Sequence, residues 1–410
     1  MSELIVELSH ERIGRLTGDR RVFDFHADPA ALDRLGLGST ALSVAVPLEA
    51  IPARGRKERR QNFFQELLPE GRMRERLARE AGVADYDTIG LLRAHGRDVA
   101  GALQIWDPQA PGEPREPRLE ALDDAGIAQM LERVQEHPLG NLGPGGKTSL
   151  AGVQDKIVLA KTDDGWARVL DGAPSTHILK PASTTQPTII YDEAFGQDIA
   201  RAIGISTFDT RLMEFAGVPA LVIERYDRST TAPDGRIHQE DGNQALGAGA
   251  SEKYQRLGGK VSLQRLAQVL RQHAGGASLA RLAQMAVAAA AIGNLDMHAK
   301  NISLVHDPDG EISLASAYDF VPLAHQPTAG ELALSVDGEY RHAAITAAHL
   351  SAEIGSWGIR GSEALVAATL ESVRTAAEHI TPHERAHSGL GGDVMRFTTN
   401  LLDGRAAGDR

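Results

Sequence analysis

Residues 293–301 have the sequence Gly-Asn-Leu-Asp-Met-His-Ala-Lys-Asn, and they follow directly on an alanine-rich apolar run from Met285 to Ile292. That run is far shorter than the roughly 18–20 residues needed to span a bilayer, so it predicts a buried helix. The segment after it brings acidic, basic and amide side chains together. Because catalytic groups are commonly placed on loops held by rigid elements, residues 293–301 are the first candidate for an active-site loop.

The spacing within this segment is typical of phosphoryl transfer. Asp296 precedes Asn301 by five residues, as the proton-accepting Asp precedes the metal-holding Asn in protein kinases. Asp319 follows a short apolar strand, as the metal-binding Asp of a kinase does, and Lys180 ends an earlier apolar strand. One such spacing is common by chance, but four elements in this order indicate a kinase-like site.

Each of these residues also has a purely structural interpretation. Lys180 could be a surface lysine at a strand end, His298 a core histidine, Asp319 a turn cap and Asp296 a helix-terminal charge. A metal site on Asp296 and His298 is a further alternative. Hydrolytic zinc usually has three protein ligands, and the sequence contains no His-Glu-x-x-His motif.

A glycine-rich stretch at residues 140–149, GNLGPGGKTS, suggests a phosphate-binding loop. The P-loop pattern requires glycine where Asn141 stands, and Pro144 interrupts the loop. A plain mobile loop is therefore the simpler interpretation of residues 140–149. The next residues, Ala151 to Lys156, are small enough at their start for backbone amides to approach a phosphate, which alone is weak evidence.

Composition and charge exclude several classes of protein. The chain has 410 residues, 42% apolar and 24% charged, as in an ordinary globular protein. Its lack of cysteine excludes a disulfide framework and a Cys-ligated metal. The net charge of −12 opposes broad contacts with nucleic-acid phosphates, and the basic run at 54–60 is interpreted as a solvated turn.

The charged N-terminus does not resemble a secretory signal, so we expect a cytoplasmic protein with no membrane contact.

The chain divides at a proline-rich, charged stretch, residues 107–118, which is typical of an exposed linker. We expect an α/β module at 1–106, a β-rich lobe at 119–228 and an α-helical lobe at 229–410. Alternation in Ala41–Leu48 predicts strands, and 62–81 predicts helices broken at Pro69 and Gly71. The predicted fold class is α+β, with a two-lobed, protein-kinase-like core preceded by a small α/β module.

Eight motifs carry a resemblance to a known family, and they extend over about residues 1–325. They are NFFQELLPEG (62–71), LLRAHGRDVAGALQ (91–104), SLAGVQDK (149–156), THILKP (176–181), ALVIERYDR (220–228), HQED (238–241), NLDMHAKN (294–301) and AYDF (317–320). With these motifs in this order, the chain resembles the HipA family, the serine/threonine protein-kinase toxins of type II toxin–antitoxin modules.

The resemblance implies a role for each motif residue. Asp296 would be the catalytic base, Lys300 would lie near the transferred phosphoryl group, and Asn301 with Asp319 would ligate Mg²⁺. Lys180 would contact the α- and β-phosphates, with Glu193 as its candidate partner. The other nucleotide-binding positions would be Ala151, Gly152, Val153, Gln154, Asp155 and Lys156 in the phosphate-covering loop, Glu224, Arg225 and Tyr226 at the adenine-holding hinge, and His298, Tyr318 and Asp319.

The family also implies a function and its partners. Expected is a kinase dependent on ATP and Mg²⁺ that phosphorylates an aminoacyl-tRNA synthetase, arrests translation and inactivates itself by autophosphorylation at Ser149. Its partner would be a HipB-like helix-turn-helix antitoxin, through which it would meet operator DNA. Two alternatives stay open, namely a small-molecule phosphotransferase of the aminoglycoside-kinase type and a non-enzymatic, ATP-sensing partner of a DNA-binding antitoxin.

Overall fold

The computed structural model of the protein describes residues 2–141, 145–183, 185–307 and 309–410. The strands are β1 (Ser2–Leu8), β2 (Glu11–Gly18), β3 (Phe23–Ala27), β4 (Leu103–Trp106), β5 (Arg118–Leu122), β6 (Ile157–Thr162), β7 (Gly165–Leu170), β8 (His177–Pro181), β9 (Thr210–Phe215), β10 (Val218–Glu224), β11 (His238–Asp241), β12 (Ser303–His306), β13 (Ile312–Leu314), β14 (Glu331–Val336) and β15 (Glu339–Arg341). The α-helices are α1 (Pro29–Leu35), α2 (Lys57–Gln65), α3 (Gly71–Ala81), α4 (Thr88–His95), α5 (Asp124–Glu132), α6 (Ile189–Ala202), α7 (Gly242–Leu246), α8 (Leu263–His273), α9 (Gly275–Ile292), α10 (Ala347–Ser356), α11 (Ser362–His379) and α12 (Leu390–Leu402).

The described chain forms two compact units that are interleaved in sequence. Unit 1 comprises the residues up to Pro181, Met213–Ala250 and Val305–Glu311. Unit 2 comprises Ala182–Leu212, Ser251–Leu304 and Ile312–Arg410. Unit 1 holds most of the strands and unit 2 most of the long helices, which confirms the expected α+β class with a β-rich and an α-helical part.

Unit 1 is built on two antiparallel sheets. The first has the strand order β3-β2-β1-β4, with Val6 of β1 opposite Gly14 of β2 and Ile105 of β4. The second has the order β5-β7-β6-β8-β10-β9, and Lys180 of β8 lies opposite Leu221 of β10. Helix α5 covers one face of the second sheet through a buried apolar cluster that includes Ile127.

The N-terminal segment and the second sheet share a hydrophobic core. One continuous cluster joins Phe63 and Phe64 of α2 and Leu103 of β4 to Val158 of β6 and Val169 of β7. All five side chains are at most 5% exposed. Burial of such apolar surface stabilises the folded state by about 25 cal/mol per Å², so residues on both sides of the stretch 107–118 stabilise each other.

The stretch 107–118, expected to be an exposed linker, is anchored to unit 1. The Glu113 carboxylate is 2% exposed and forms an ion pair with Arg97. Arg115 Nη1 donates to Asp171 Oδ1 at 3.0 Å. Although this stretch is rich in proline, ion pairs and hydrogen bonds fix its charged side chains against unit 1.

Helix α9 forms the core of unit 2. It packs against α8, α11 and α12, and Met285 to Ile292 are all buried, as the apolar run predicts. By length and composition α9 could cross a membrane, but 67% of it is buried inside the protein. Such burial is typical of the central helix of a globular core.

Two sequence-based expectations differ from the structure. Residues Ala41–Leu48 form an irregular loop rather than strands. The loop bonds to a side chain instead of a neighbouring strand. The Glu240 carboxylate accepts hydrogen bonds from Ser43 Oγ at 2.5 Å and from the Val44 amide at 2.9 Å. The hairpin of β14 and β15 was not predicted, because residues 229–410 were expected to form an α-helical lobe.

Candidate active site

The turn that leads from α9 into the segment 293–301 requires a glycine. Gly293 has φ of 71°, a left-handed conformation that closes the helix by donating to the carbonyls of Ala289 and Ala290. A Cβ atom at this position would lie 2.7 Å from Ala324 Cβ and 3.1 Å from Phe397 Cε2. The backbone direction at the start of the candidate loop is therefore set by both conformation and packing.

Asp296 has a backbone that is held on both sides and a side chain that is open. Its amide donates to Asn294 Oδ1 at 3.0 Å, and its carbonyl accepts from Asn301 Nδ2 at 2.9 Å. The Asp296 side chain is 48% exposed. A carboxylate fixed in this way can meet an incoming hydroxyl without reorganisation of the loop.

The Asp296 carboxylate has a neighbour that the sequence analysis missed. Tyr254 Oη donates to Asp296 Oδ1 at 3.1 Å, and the Tyr254 ring lies edge-on to that of His298. His298 Nε2 is 4.0 Å from Asp296 Oδ2. Burial, reinforced by Lys253 and Lys300 and opposed by Asp296, lowers the pKa of His298. Tyr254 is 42 residues away in the chain, and no motif marks it.

Tyr318 braces the candidate loop from the segment that carries Asp319. Its hydroxyl donates to the Lys300 carbonyl at 2.7 Å and lies 2.6 Å from Ser303 Oγ. Asp319 has φ of 47°, in the left-handed region. Strained conformations of non-glycine residues concentrate at functional sites. The proposed contact of Tyr318 and His298 with a nucleotide stays a prediction.

Asn301 and Asp319 suit a Mg²⁺ ion by their chemistry. The Asn301 amide group uses its nitrogen to hold the Asp296 carbonyl, which turns its oxygen away from that carbonyl. Among the described residues, no group of three or more His, Asp and Glu side chains could hold a metal by itself. Mg²⁺ is usually held by one or two protein oxygens together with water and substrate phosphates, and these two residues fit that pattern.

Ser149, in unit 1, is fully buried. Its Oγ donates to the Leu67 carbonyl at 2.9 Å, and its amide donates to the Asp98 carbonyl at 2.9 Å. Thr148 is held by Asn141, whose side chain accepts from the Thr148 amide and donates to its carbonyl. Of the glycine-rich loop at 140–149, residues 142–144 lie outside the described chain.

The loop at 151–156 is irregular and contains a glycine that cannot be replaced freely. Gly152 has φ of 112°, and a Cβ there would lie 2.7 Å from Lys156 Nζ. Lys156 Nζ donates to the Ala151 carbonyl at 2.9 Å, while Val153 is 61% exposed. Contact of this loop, which includes Gln154, with a phosphate stays a prediction.

Lys180 lies within β8 and is 3% exposed. The alternative of a surface lysine is thereby excluded. Glu193 lies in α6 and belongs to unit 2. Asp155 Oδ2 accepts from Gln135 Nε2 at 3.1 Å, so this predicted nucleotide-binding side chain is bonded within unit 1.

The predicted hinge, residues 224–226, contains a buried arginine. Arg225 donates from Nε and Nη2 to Asp227, and from Nη1 to Ser175 Oγ at 2.8 Å. Its amide donates to the Thr176 carbonyl. The Arg225 side chain is therefore structural, and its carbonyl accepts from the Arg228 amide at 3.2 Å. The predicted part of the hinge backbone in adenine binding stays a prediction. Glu224 is exposed, and the Tyr226 hydroxyl donates to Gln239.

Two of the sequence motifs meet in this ionic network. Arg228 Nη2 donates to Asp98 Oδ1 at 2.9 Å, and Asp227 Oδ2 accepts from the Gly101 amide at 2.7 Å. Burial would raise the pKa of Asp98, but Arg225 and Arg228 outweigh it and lower that pKa. Both buried carboxylates are therefore compensated, and the network joins residues 98–101 to the hinge.

Two family models match the chain. The HipA N-terminal domain matches residues 4–106, and the HipA-like C-terminal domain matches residues 148–380. The second match covers more than half of the chain and includes residues of both units.

Known proteins resemble the chain over most of its length. It is 36% identical to "Putative kinase Y4mE" of Sinorhizobium fredii over 77% of this chain and 76% of the relative. It is 27% identical to the serine/threonine-protein kinase toxin HipA of Shewanella oneidensis, over 78% of this chain and 75% of the relative. The solved complex of Shewanella oneidensis HipA, HipB and operator DNA contains a chain that matches with a TM-score of 0.76 and 25% identity, covering 98% of this chain and 96% of that chain. The expected kinase-like fold is thereby confirmed, and the chain belongs to the HipA family of serine/threonine-protein kinase toxins.

Proposed function

We propose that the protein transfers the γ-phosphoryl group of ATP, with Mg²⁺, to a serine or threonine hydroxyl of a protein, and that it is the toxin of a type II toxin–antitoxin module. The observation that carries this proposal is the position of Asp296. Its backbone is bonded to Asn294 and Asn301 while its carboxylate is half exposed, which is the arrangement needed of a base that receives a proton from an incoming hydroxyl.

The chain's own residues divide the task as follows. Asp296 orients the acceptor hydroxyl and takes its proton, while Lys300 and Lys180 bring positive charge to the phosphoryl group and to the α- and β-phosphates. Asn301 and Asp319 would hold Mg²⁺, which supplies charge neutralisation at the phosphate oxygens. Phosphoryl transfer depends mainly on such positioning and charge stabilisation, so no covalent nucleophile is required of the protein.

Autophosphorylation at Ser149 is the second part of the proposal. The Ser149 hydroxyl is buried and bonded to the Leu67 carbonyl, so residues 147–149 must leave Asp98 and Leu67 before a phosphate can be added. A phosphate carries about −1.5 to −2 charges at pH 7 and cannot return to this site without loss of hydration. Modified Ser149 would keep the loop displaced and the enzyme inactive.

The proposed partners follow from the same family membership. A HipB-like helix-turn-helix antitoxin would bind the chain and carry most of the contacts to operator DNA, in keeping with a net charge of −12. The HipA chain of similar fold is part of a HipA, HipB and operator DNA complex. The proposed substrate is an aminoacyl-tRNA synthetase, and the proposed compartment is the cytoplasm, where that substrate occurs.

The proposal is tested by transfer of labelled phosphate from ATP and Mg²⁺ to proteins of a cell lysate and to the chain itself. Loss of the base predicts that Asp296→Asn reduces transfer at least about 100-fold. Asp403→Asn, at a surface ion pair with Arg405 in the same unit, is the matched control and should retain full activity. Mass spectrometry then identifies whether Ser149 or another protein is modified.

Two outcomes would contradict the proposal. Undiminished transfer by Asp296→Asn would remove Asp296 as the base. Absence of transfer by the unmodified chain, with ATP binding retained, would favour the alternative of an ATP-sensing, non-enzymatic partner of the antitoxin.

A further inference from the structure

We infer that Tyr254 is a positioning residue for phosphoryl transfer, which fixes the orientation of the Asp296 carboxylate through its hydroxyl group. The inference rests on the proposed function of Asp296. Tyr254 Oη is 3.1 Å from Asp296 Oδ1, and no sequence motif assigned Tyr254 a role.

The segment that carries Tyr254 is fixed to strand β14. Gln255 Oε1 accepts from the Ser335 amide at 3.0 Å and from Ser335 Oγ at 3.1 Å. Arg256 Nη1 lies 2.7 Å from both carboxylate oxygens of Glu331. The two residues after Tyr254 are thus bonded near opposite ends of β14. These bonds fix the backbone position of Tyr254 relative to the strand.

Strand β14 also holds the loop that carries Asp296. The amide of Ala333, in β14, donates to the Leu295 carbonyl at 2.9 Å. The Ala299 amide donates to the Lys253 carbonyl at 3.3 Å. One hydrogen bond therefore joins the tyrosine segment directly to the aspartate loop. Strand β14 is bonded to both segments, so it sets the relative position of Tyr254 and Asp296.

The contact leaves one carboxylate oxygen for the acceptor. With Oδ1 held by the tyrosine hydroxyl, rotation about the Cβ–Cγ bond of Asp296 breaks a hydrogen bond, and Oδ2 is kept in one direction. His298 does not supply this constraint, because its Nε2 is 4.0 Å from Oδ2, beyond hydrogen-bond distance. Precise placement of a reacting group lowers the barrier to reaction without tightening the binding of substrate.

The test compares Tyr254→Phe with Tyr340→Phe. The first variant keeps the ring that packs on His298 and removes the hydroxyl. The second removes a tyrosine hydroxyl in β15, whose ring lies 4.7 Å from the Arg256 guanidinium, and leaves the Asp296 contact intact. Rates of labelled phosphate transfer from Mg·ATP to lysate proteins are measured over a range of ATP concentrations.

Tyr254→Phe should lower the maximal rate about tenfold, as expected for loss of one hydrogen bond to a charged group. The KM for ATP and the melting temperature should stay unchanged, and Tyr340→Phe should match the unmodified chain. A merely structural role would instead lower the melting temperature or raise KM. A maximal rate for Tyr254→Phe equal to that of the unmodified chain overturns the inference.

Failure of the proposed function would be separately visible, because the unmodified chain would then transfer no phosphate. In that case crystal structures of the unmodified chain and Tyr254→Phe decide the inference. An Asp296 carboxylate that turns or becomes disordered in the variant supports it, and one that keeps its orientation overturns it.

Discussion

The side-chain amide of Asn301 donates a hydrogen bond to the main-chain carbonyl of Asp296, with 2.9 Å between the two atoms. A direct hydrogen bond thus connects Asn301, which is proposed to hold Mg²⁺, to Asp296, which is proposed to take the proton. A change at either position should disturb both parts of the chemistry.

Asn301→Asp separates the binding of Mg²⁺ from the hydrogen bond to the Asp296 carbonyl. A carboxylate is an acceptable Mg²⁺ ligand, but it cannot donate to the Asp296 carbonyl and would repel it. We therefore expect the rate of phosphate transfer to fall by roughly 10–100-fold, as for loss of groups that orient a metal site, even at saturating Mg²⁺. Full activity of Asn301→Asp would show that the hydrogen bond to Asp296 has no part in catalysis.

Gly152→Ala tests the phosphate-covering loop. Its φ of 112° disfavours any side chain, and the new methyl group would meet Lys156 Nζ. The expected result is a KM for ATP raised about tenfold, measured by phosphate transfer at varied ATP. Gly165→Ala is the matched control, since Gly165 has φ of 132° but no atom within 4 Å of the added Cβ. An equal rise in KM for both variants would assign the change to the strain of a side chain at positive φ and not to the phosphate-covering loop.

Asp227→Asn should destabilise the protein more than any surface substitution. It removes the carboxylate that both Arg225 and Arg228 contact and leaves Asp98 as their remaining acidic partner. Loss of one partner from a buried ion pair costs about 3–5 kcal/mol. Glu371→Gln, at the exposed pair with Arg374, should cost less than about 1 kcal/mol. Urea unfolding measures both values, and similar midpoints for the two variants would contradict the structural role of the network.

The stability of the protein should fall as the pH decreases below neutrality. Burial and the neighbouring His306 lower the pKa of His238 to about 3, and burial lowers the pKa of His95 to about 4. Both histidines titrate near 6.5 when unfolded, so the stability gained from keeping them neutral is complete above that pH and is lost as the pH falls toward the folded values.

This loss is measured by urea unfolding at two pH values. Between pH 7 and 5.5 we expect a decrease of about 1 kcal/mol per histidine in the free energy of unfolding. His238→Gln should show a smaller decrease, while His379→Gln, at an exposed position, should behave like the unmodified chain. The same pH dependence in His238→Gln would indicate that other groups cause it.

The sequence predicts the order of the kinase elements, the helix α9, the strand that carries Lys180 and the polar loop after Gly293. These features are local, because each depends on a run of neighbouring residues with a clear pattern. Tyr254 was missed because its partner Asp296 is distant in the chain. The motif assigned Arg225 to the hinge, largely through its backbone. The hydrogen bonds of its side chain to Asp227 and Ser175 were not predicted, because tertiary contacts set them.

The loop Ala41–Leu48 shows the limit of periodicity as a guide. Its apolar residues alternate as in a strand, and Leu42, Val46 and Leu48 are buried as that pattern requires. Their burial is achieved without a neighbouring strand, because the loop packs on α2 and bonds to Glu240. Alternation therefore identified Leu42, Val46 and Leu48 as buried, but it did not predict the burial of Ser43 and Ala45 or the backbone hydrogen bonds.

The core shared by the N-terminal segment and the second sheet of unit 1 also constrains how this protein can change. Phe63 and Leu103 lie in the region matched by one family model, and Val158 and Val169 lie in the region matched by the other. Recombination that exchanged one region between relatives would bring together two surfaces shaped for different neighbours. We therefore expect the two regions to have been inherited together and their facing apolar positions to covary among relatives.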